Sequence, residues 1–181
     1  NYVDETDVSE IGAPGYPKLQ FSFGAEFAYK GFDFSFLFTG SAGGTVNLLD
    51  YAAWKPFMNY GNIFEWARGA WAYYPEENID TREYATFPRL TTGNNDNNYR
   101  ASTFWIRKND YLRLQNVEVG YDFASLRAVR NAGISKCRLY VNAYNLLTFS
   151  DLLKECKMDP ETAYYGYPAL KSVNVGVQLS F

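Results

Sequence analysis

Five stretches of this chain alternate apolar and polar side chains with period two, a pattern that only extended strands with one apolar and one polar face can use. Within "KLQFSFGAEFAYKGFDFSFLFTG", Leu19, Phe21, Phe23, Ala25, Phe27 and Tyr29 fall on one side and Gln20, Ser22, Gly24, Glu26 and Ala28 on the other. After Lys30-Gly31 the pattern resumes, with Phe32, Phe34, Phe36 and Phe38 set against Asp33, Ser35, Leu37 and Thr39. Two such runs with so short a link predict a tight antiparallel hairpin over 18–30 and 32–42. A third strand is expected over 110–123. Its apolar set slips from Leu112 and Leu114 to Val117, Val119, Tyr121 and Phe123, which predicts a bulge near Gln115 and Asn116. The fourth strand is expected over 136–148, with Arg138, Tyr140, Asn142 and Tyr144 on its polar side. The fifth, over 170–181, alternates down to Phe181.

What these strands face follows from composition. Aromatic residues make up 19% of the chain, with 16 Tyr and 14 Phe, yet mean hydropathy is −0.34. No apolar run approaches the roughly 18 residues that a spanning helix needs. Many aromatics with modest hydropathy is the composition of strands that show one face to lipid. A net charge of −3 leaves no basic footprint for nucleic acid. With no histidine, His-dependent triads and His-ligated metal sites are excluded. The chain has neither an initiating Met nor a signal peptide, so a targeting segment is expected to have been removed or to lie upstream.

The connections are unequal. Links 30–32 and 124–135 are short, whereas 43–109 and 149–169 are long. Antiparallel strands alternate in direction, so the short links share one end and the long loops the other, as in outer-membrane barrels. On this expectation the chain ends on the periplasmic side and the long loops face outward. Five strands cannot close a membrane-spanning barrel, which takes about eight at least. An open edge in lipid would leave backbone groups unpaired at several kcal/mol each. Residues 1–181 are therefore expected to be the C-terminal fragment of one larger antiparallel transmembrane β-barrel domain.

Several motifs taken in order make this specific: "EIGAPGYPKLQFSFGAEFAYKGFDFSFLFTGSAGG", "FPRL" before an Asn-rich stretch, "STFWIRKNDYLRLQNVEVGY", "RLYVNAYNLLTF", "DPE" and the closing "VGVQLSF". Together they resemble the C-terminal end of SusC-like (SusC/RagA) TonB-dependent outer-membrane transporters of Bacteroidetes. The resemblance implies a plugged barrel of about 22 strands, of which these are the last five. It also implies a SusD-like surface lipoprotein as lid, a TonB complex acting through upstream segments, and import of glycans or oligopeptides. In the last strand, Asn174, Gly176, Leu179 and Phe181 resemble an outer-membrane assembly signal, with Phe181 as an aromatic anchor at the interface. Gln20, Glu26, Asp33, Glu118, Arg138 and Asn142 are expected to line the wall or touch the plug.

The outer loop 43–109 is too long to be structureless without a purpose. In "NIFEWARGAW", Asn62 and Glu65 are spaced as a capping box. Ile63, Trp66, Ala67, Ala70 and Trp71 are spaced as one helical face. That face either packs the loop onto its own rim or meets a lid protein or sugar. In "GNNDNNYRASTFWIR", Tyr99, Arg100 and Trp105 mix flat rings with directional donors, which suits substrate or lid contact, although a turn-rich connector has the same composition. Trp66, Trp71, Tyr99, Arg100 and Trp105 are thus the candidate contact residues.

Asp96 with its neighbouring amides could take calcium, but the spacing is not that of an EF-hand loop, and no cofactor or metal site is assigned. Glu76, Glu77, Asp80, Asp159 and Glu161 could supply a carboxylate pair for glycoside hydrolysis. They lie in loops where carboxylates are usually solvated, so the chain is read as non-enzymatic. The alternative reading is a soluble, aromatic-rich carbohydrate-binding β-module, which would stay in buffer where a barrel needs detergent.

Overall fold

In a computed structural model, the described residues are 6, 8–10, 15–50, 57, 63–93, 95–162 and 167–181, without the side chains of Asp50 and Trp66. The elements in order are β1 (Leu19–Tyr29), β2 (Phe32–Ala42), β3 (Thr45–Asn47), β4 (Tyr73–Tyr74), β5 (Ile79–Asp80), β6 (Ile106–Lys108), β7 (Tyr111–Asp122), α1 (Arg127–Asn131), β8 (Lys136–Phe149), α2 (Asp151–Cys156) and β9 (Ser172–Ser180). The five long strands form one antiparallel sheet in the order β1-β2-β7-β8-β9. The expected strands are all present, within two or three residues at their ends.

The β1–β2 turn puts both Lys30 (φ 47°) and Gly31 (φ 86°) in the left-handed region. Such two-residue turns match the right-handed twist of the flanking strands. The resulting register pairs Phe23 with Phe38 and Phe27 with Phe34, so one face becomes a ladder of rings. The first of these pairs stacks at 5.2 Å and the second at 6.3 Å. The expected bulge is there: Gln115 is skipped in the pairing of β7 with both neighbours. Opposite it, β8 spends two residues, and Asn145 takes a positive φ of 54°. Asn tolerates that conformation, and its side-chain amide donates to the Leu170 carbonyl at 3.0 Å.

The apolar face of the sheet has no second layer over it among the described residues. Phe23, Phe27, Phe32, Val119, Val141, Val173, Val175, Val177 and Leu179 are all exposed. Each such side chain forgoes roughly half of the about 1.5–3 kcal/mol that full burial gives, and a contiguous uncovered patch of this kind marks an interaction or membrane surface. Strands of 9 to 14 residues rising about 3.3 Å per residue and tilted about 45° cover the hydrocarbon thickness. Among the described residues no helix is long and apolar enough to cross a membrane. Both short links, 30–31 and 123–135, lie at one end of the sheet, and both long connections at the other.

The buried core lies in the long connections and not under the sheet. Val46, Leu48, Ala67, Phe87, Tyr99, Trp105, Leu152 and Cys156 form one cluster, drawn from both connections. Two small sheets, β3-β6 and β4-β5, frame it. We call this unit the cap. The helix expected across 62–71 is replaced by a single 3-10 segment, Glu65–Gly69, preceded by Phe64 without a side-chain cap. The expected capping residue, Asn62, lies outside the described residues. The backbone turns away early because it finds other partners: Thr86 and Phe87 donate to the Gly69 carbonyl, and Trp71 donates to that of Phe87. Both cysteines are free, Cys137 beginning β8 at the short-link end and Cys156 closing α2 in the cap.

Candidate functional site

The polar side of the sheet carries a connected network. Register brings Asp33 opposite Gly120, Glu118 opposite Asn142, and Asn142 opposite Asn174. Arg138 reaches across the missing side chain of Gly120 to Asp33, with Nε–Oδ1 at 2.9 Å. Its Nη2 also donates to Asp33 and, at 2.6 Å, to Glu118. The Asn142 amide donates to Glu118 at 3.3 Å, and the Asn174 amide donates to Asn142 at 3.0 Å. Four strands are thereby cross-linked by groups that an apolar environment would not tolerate singly. Gly176 serves the same face. The Tyr140 ring lies over it, so a Cβ there would sit 2.4 Å from Cζ.

At the end of the sheet that carries the long connections, Arg113 anchors the second of them to the sheet. Its residue is 2% exposed. Nη2 meets Asp159 at 2.6 Å, Nη1 meets Glu161 at 2.6 Å, and Nε donates to the Thr148 hydroxyl at 3.1 Å. Both Asp159 and Glu161 are held by this guanidinium; Asp159, expected to be solvated, is largely buried, whereas the Glu161 side chain keeps half of its exposure. The reason is the bulge, which brings Arg113 onto the polar face at the strand end where the loop descends.

The candidate contact residues separate by burial. Trp105 is 0% exposed and stacks on Tyr99 at 5.5 Å. Phe87 and Phe104 meet it edge-on. Its Nε1–H donates to the Asn98 carbonyl at 3.0 Å. Burial raises the Tyr99 hydroxyl pKa above the ordinary value. Neither ring offers a free face to a ligand, so the expectation of direct contact for Tyr99 and Trp105 gives way to a packing role. Trp71, 37% exposed, and Arg100 remain at the surface, and the Trp66 side chain lies outside the described residues. In the last strand, Asn174 and Gly176 face the polar side, Leu179 the apolar side, and Phe181 is exposed.

Sequence reasoning missed the cleft beside Trp71. About 530 Å³ in volume, it is lined by Trp71, Arg82, Phe87, Arg89, Asn95, Asn98 and Phe104 among others. The Arg82 guanidinium lies 3.9 Å over the Tyr73 ring and forks onto Asp80 at 2.9 and 2.7 Å. That fork holds the Asp80 carboxyl below the usual carboxylate range. The signal was present as "FPRL" beside the Asn-rich stretch, though nothing local tied it to Trp71.

No family model matches the chain. TonB-dependent receptor P3 of Formosa agariphila is 26% identical over 195 aligned residues, and TonB-dependent receptor P26 of the same organism is 24% identical over 194. Each alignment takes in 99% of this chain but only 18% of the receptor's length. The RagAB peptide importer in its closed-closed state superposes with a TM-score of 0.65 at 22% identity, over 99% of this chain and 19% of that one. Over 99% of its length, then, the chain is similar to one stretch of two TonB-dependent receptors, as its motifs led one to expect, and it shares the fold of the matching stretch of the RagAB peptide importer.

Proposed function

We propose that the chain forms part of the wall and outer mouth of an outer-membrane, TonB-dependent transporter that imports glycans or oligopeptides beneath a SusD-like lipoprotein. The observation that carries this reading is the sheet itself, with an uncovered apolar face, a networked polar face, short links at one end and a packed cap at the other. Strands β1 and β9 each pair on one side only among the described residues. In lipid, such edges would cost several kcal/mol per unpaired group. On this reading each of these edges pairs with another strand of a closed barrel of about 22 strands.

On this reading Asn174, Gly176, Leu179 and Phe181 act as the assembly signal, and the polar network lines the wall. Trp71 and Arg100 meet lid or substrate, while Tyr99 and Trp105 hold the cap in shape. Upstream segments engage the TonB complex, and the chain itself performs no chemical step. The test uses the full-length protein in its native membrane, following detergent dependence, heat-modifiable folded barrel, co-purification of a surface lipoprotein and uptake of the nutrient. A protein that partitions into buffer without detergent would overturn the reading in favour of the soluble module.

A further inference from the structure

The cleft beside Trp71 holds three groups whose bonding is incomplete. Arg89 has no carboxylate partner among the described residues. Its guanidinium is placed only by rings, 5.9 Å from the Trp71 centroid and 6.0 Å from that of Tyr74. Asn95 and Asn98 are half-buried residues, and their side-chain amides make no hydrogen bond among the described residues. Partly desolvated donors without acceptors point to a ligand rich in acceptors. A guanidinium already held against rings has less freedom to lose on engaging a carboxylate, and its planar fork fits that group.

The apolar walls narrow the class further. Trp71 and Phe104 border the cleft, but each gives a ring face to a guanidinium: Arg89 over Trp71, and Arg107 over Phe104 at 5.4 Å. With a cation over one face of each, less bare ring is left for a sugar to stack on. The cleft instead offers apolar edges from Trp71, Phe87 and Phe104 next to a cation and two amides. That arrangement suits an apolar side chain, one peptide group and a terminal carboxylate in sequence.

We propose that this cleft is a subsite for the carboxyl-terminal residue of an oligopeptide, with the carboxylate on Arg89, the last peptide group on Asn95 and Asn98, and the side chain between Trp71 and Phe104. The proposal rests on the transporter reading only for its setting, at the outer mouth. The test is binding to the purified full-length transporter in detergent. The probes are an N-acetylated tetrapeptide ending in Leu, its C-terminal amide, and a tetrameric oligouronate. The acid should bind about tenfold more tightly than the amide, the scale of one charge-assisted fork. Arg89→Gln should weaken the acid about tenfold and leave the amide unchanged, while Arg89→Lys recovers part of the loss.

Equal affinity for acid and amide on the unaltered protein overturns the proposal, as does absence of binding by both at millimolar concentration. Tighter binding of the oligouronate than of the peptide acid overturns the peptide assignment. The acid–amide comparison needs no variant, so a failure of Arg89→Gln to fold leaves the test intact. Folded barrel and lipoprotein co-purification, measured on the same samples, show separately whether the transporter reading stands.

Discussion

Replacing Trp105 by Ala should open the cap without dismantling the sheet. The Trp105 side chain is fully buried, touches Tyr99, Phe87 and Phe104, and spends its N–H on the Asn98 carbonyl. Burying an aromatic of this size removes roughly 200 Å² from water, worth about 5 kcal/mol at ~25 cal/mol/Å². Measured large-to-small changes at such sites cost about 3–5 kcal/mol. A loss of 3–4 kcal/mol multiplies the population of locally opened cap by roughly 100 to 1,000. Cys156 is a built-in reporter, since it is 4% exposed within the same cluster. Its alkylation by a maleimide in the folded, detergent-solubilised full-length protein should accelerate by that factor, with Cys137 at the opposite end of the sheet as an unchanged control. Trp105→Phe keeps most of the ring and loses the hydrogen bond of about 1 kcal/mol, so it should accelerate alkylation about fivefold.

The same cysteine makes the cap sensitive to alkali. Burial pushes the Cys156 thiol up, partly opposed by Arg107. Its contribution to cap stability is then fully present below the unfolded thiol pKa of about 8.5 and is lost as pH rises through the folded value. An alkylation rate for Cys156 unchanged by Trp105→Ala, with the barrel intact, would refute the idea that this cluster holds the cap closed. Loss of the heat-modifiable barrel in that variant would refute the separation of cap from wall.

Phe181→Asp should lower the amount of folded, heat-modifiable protein in outer membranes far more than Ser180→Ala, and equal yields would remove the assembly-signal argument. Gly176→Ala should also impair folding, by about 1–3 kcal/mol, because its Cβ would sit 2.4 Å from the Tyr140 ring. Adding Tyr140→Ala should make that double variant less impaired than the sum of the two singles. Arg113→Met should strand the Asp159 carboxylate at a cost of about 3–5 kcal/mol, seen as new protease cleavage in the 150–171 connection with the strands still protected. Shortening the loop inside 72–104 should leave the folded barrel in place but reduce uptake or lid binding, as measured by growth on the cognate nutrient; normal uptake would make the segment a spectator.

The strands were legible because their information is local. Alternation needs only neighbours, and one phase slip at Gln115 was enough to locate the bulge. The cap was not legible for the opposite reason. Phe87, Tyr99, Trp105, Leu152 and Cys156 meet across long separations, and β3 to β6 are two or three residues each, too short to show a period. Aromatics in a polar loop look alike whether they bind or pack, and so Tyr99 and Trp105 read as contact residues. The helical spacing of 63–71 was real, but pairing of 69–71 with 86–87 outcompeted continuation of the helix. Arg113 could not be matched to Asp159 and Glu161 without the three-dimensional path of the second connection.

The cap's long-range construction has a kinetic consequence. Its cluster runs from Val46 to Cys156, with β7 and β8 threaded between. Most of the sequence between those two residues must be in place before the last of these contacts can form, and closing so large a loop is slow. On the proposed orientation, both connections must also cross the bilayer before they meet, because a packed cluster framed by polar loop backbone is a poor passenger through lipid. The cap would therefore be a late product of biogenesis, completed at the cell surface on strands already inserted. For that interval its aromatic residues would stand unprotected outside the cell, and sequence changes that slow its closure would be felt as surface proteolysis while insertion proceeded normally.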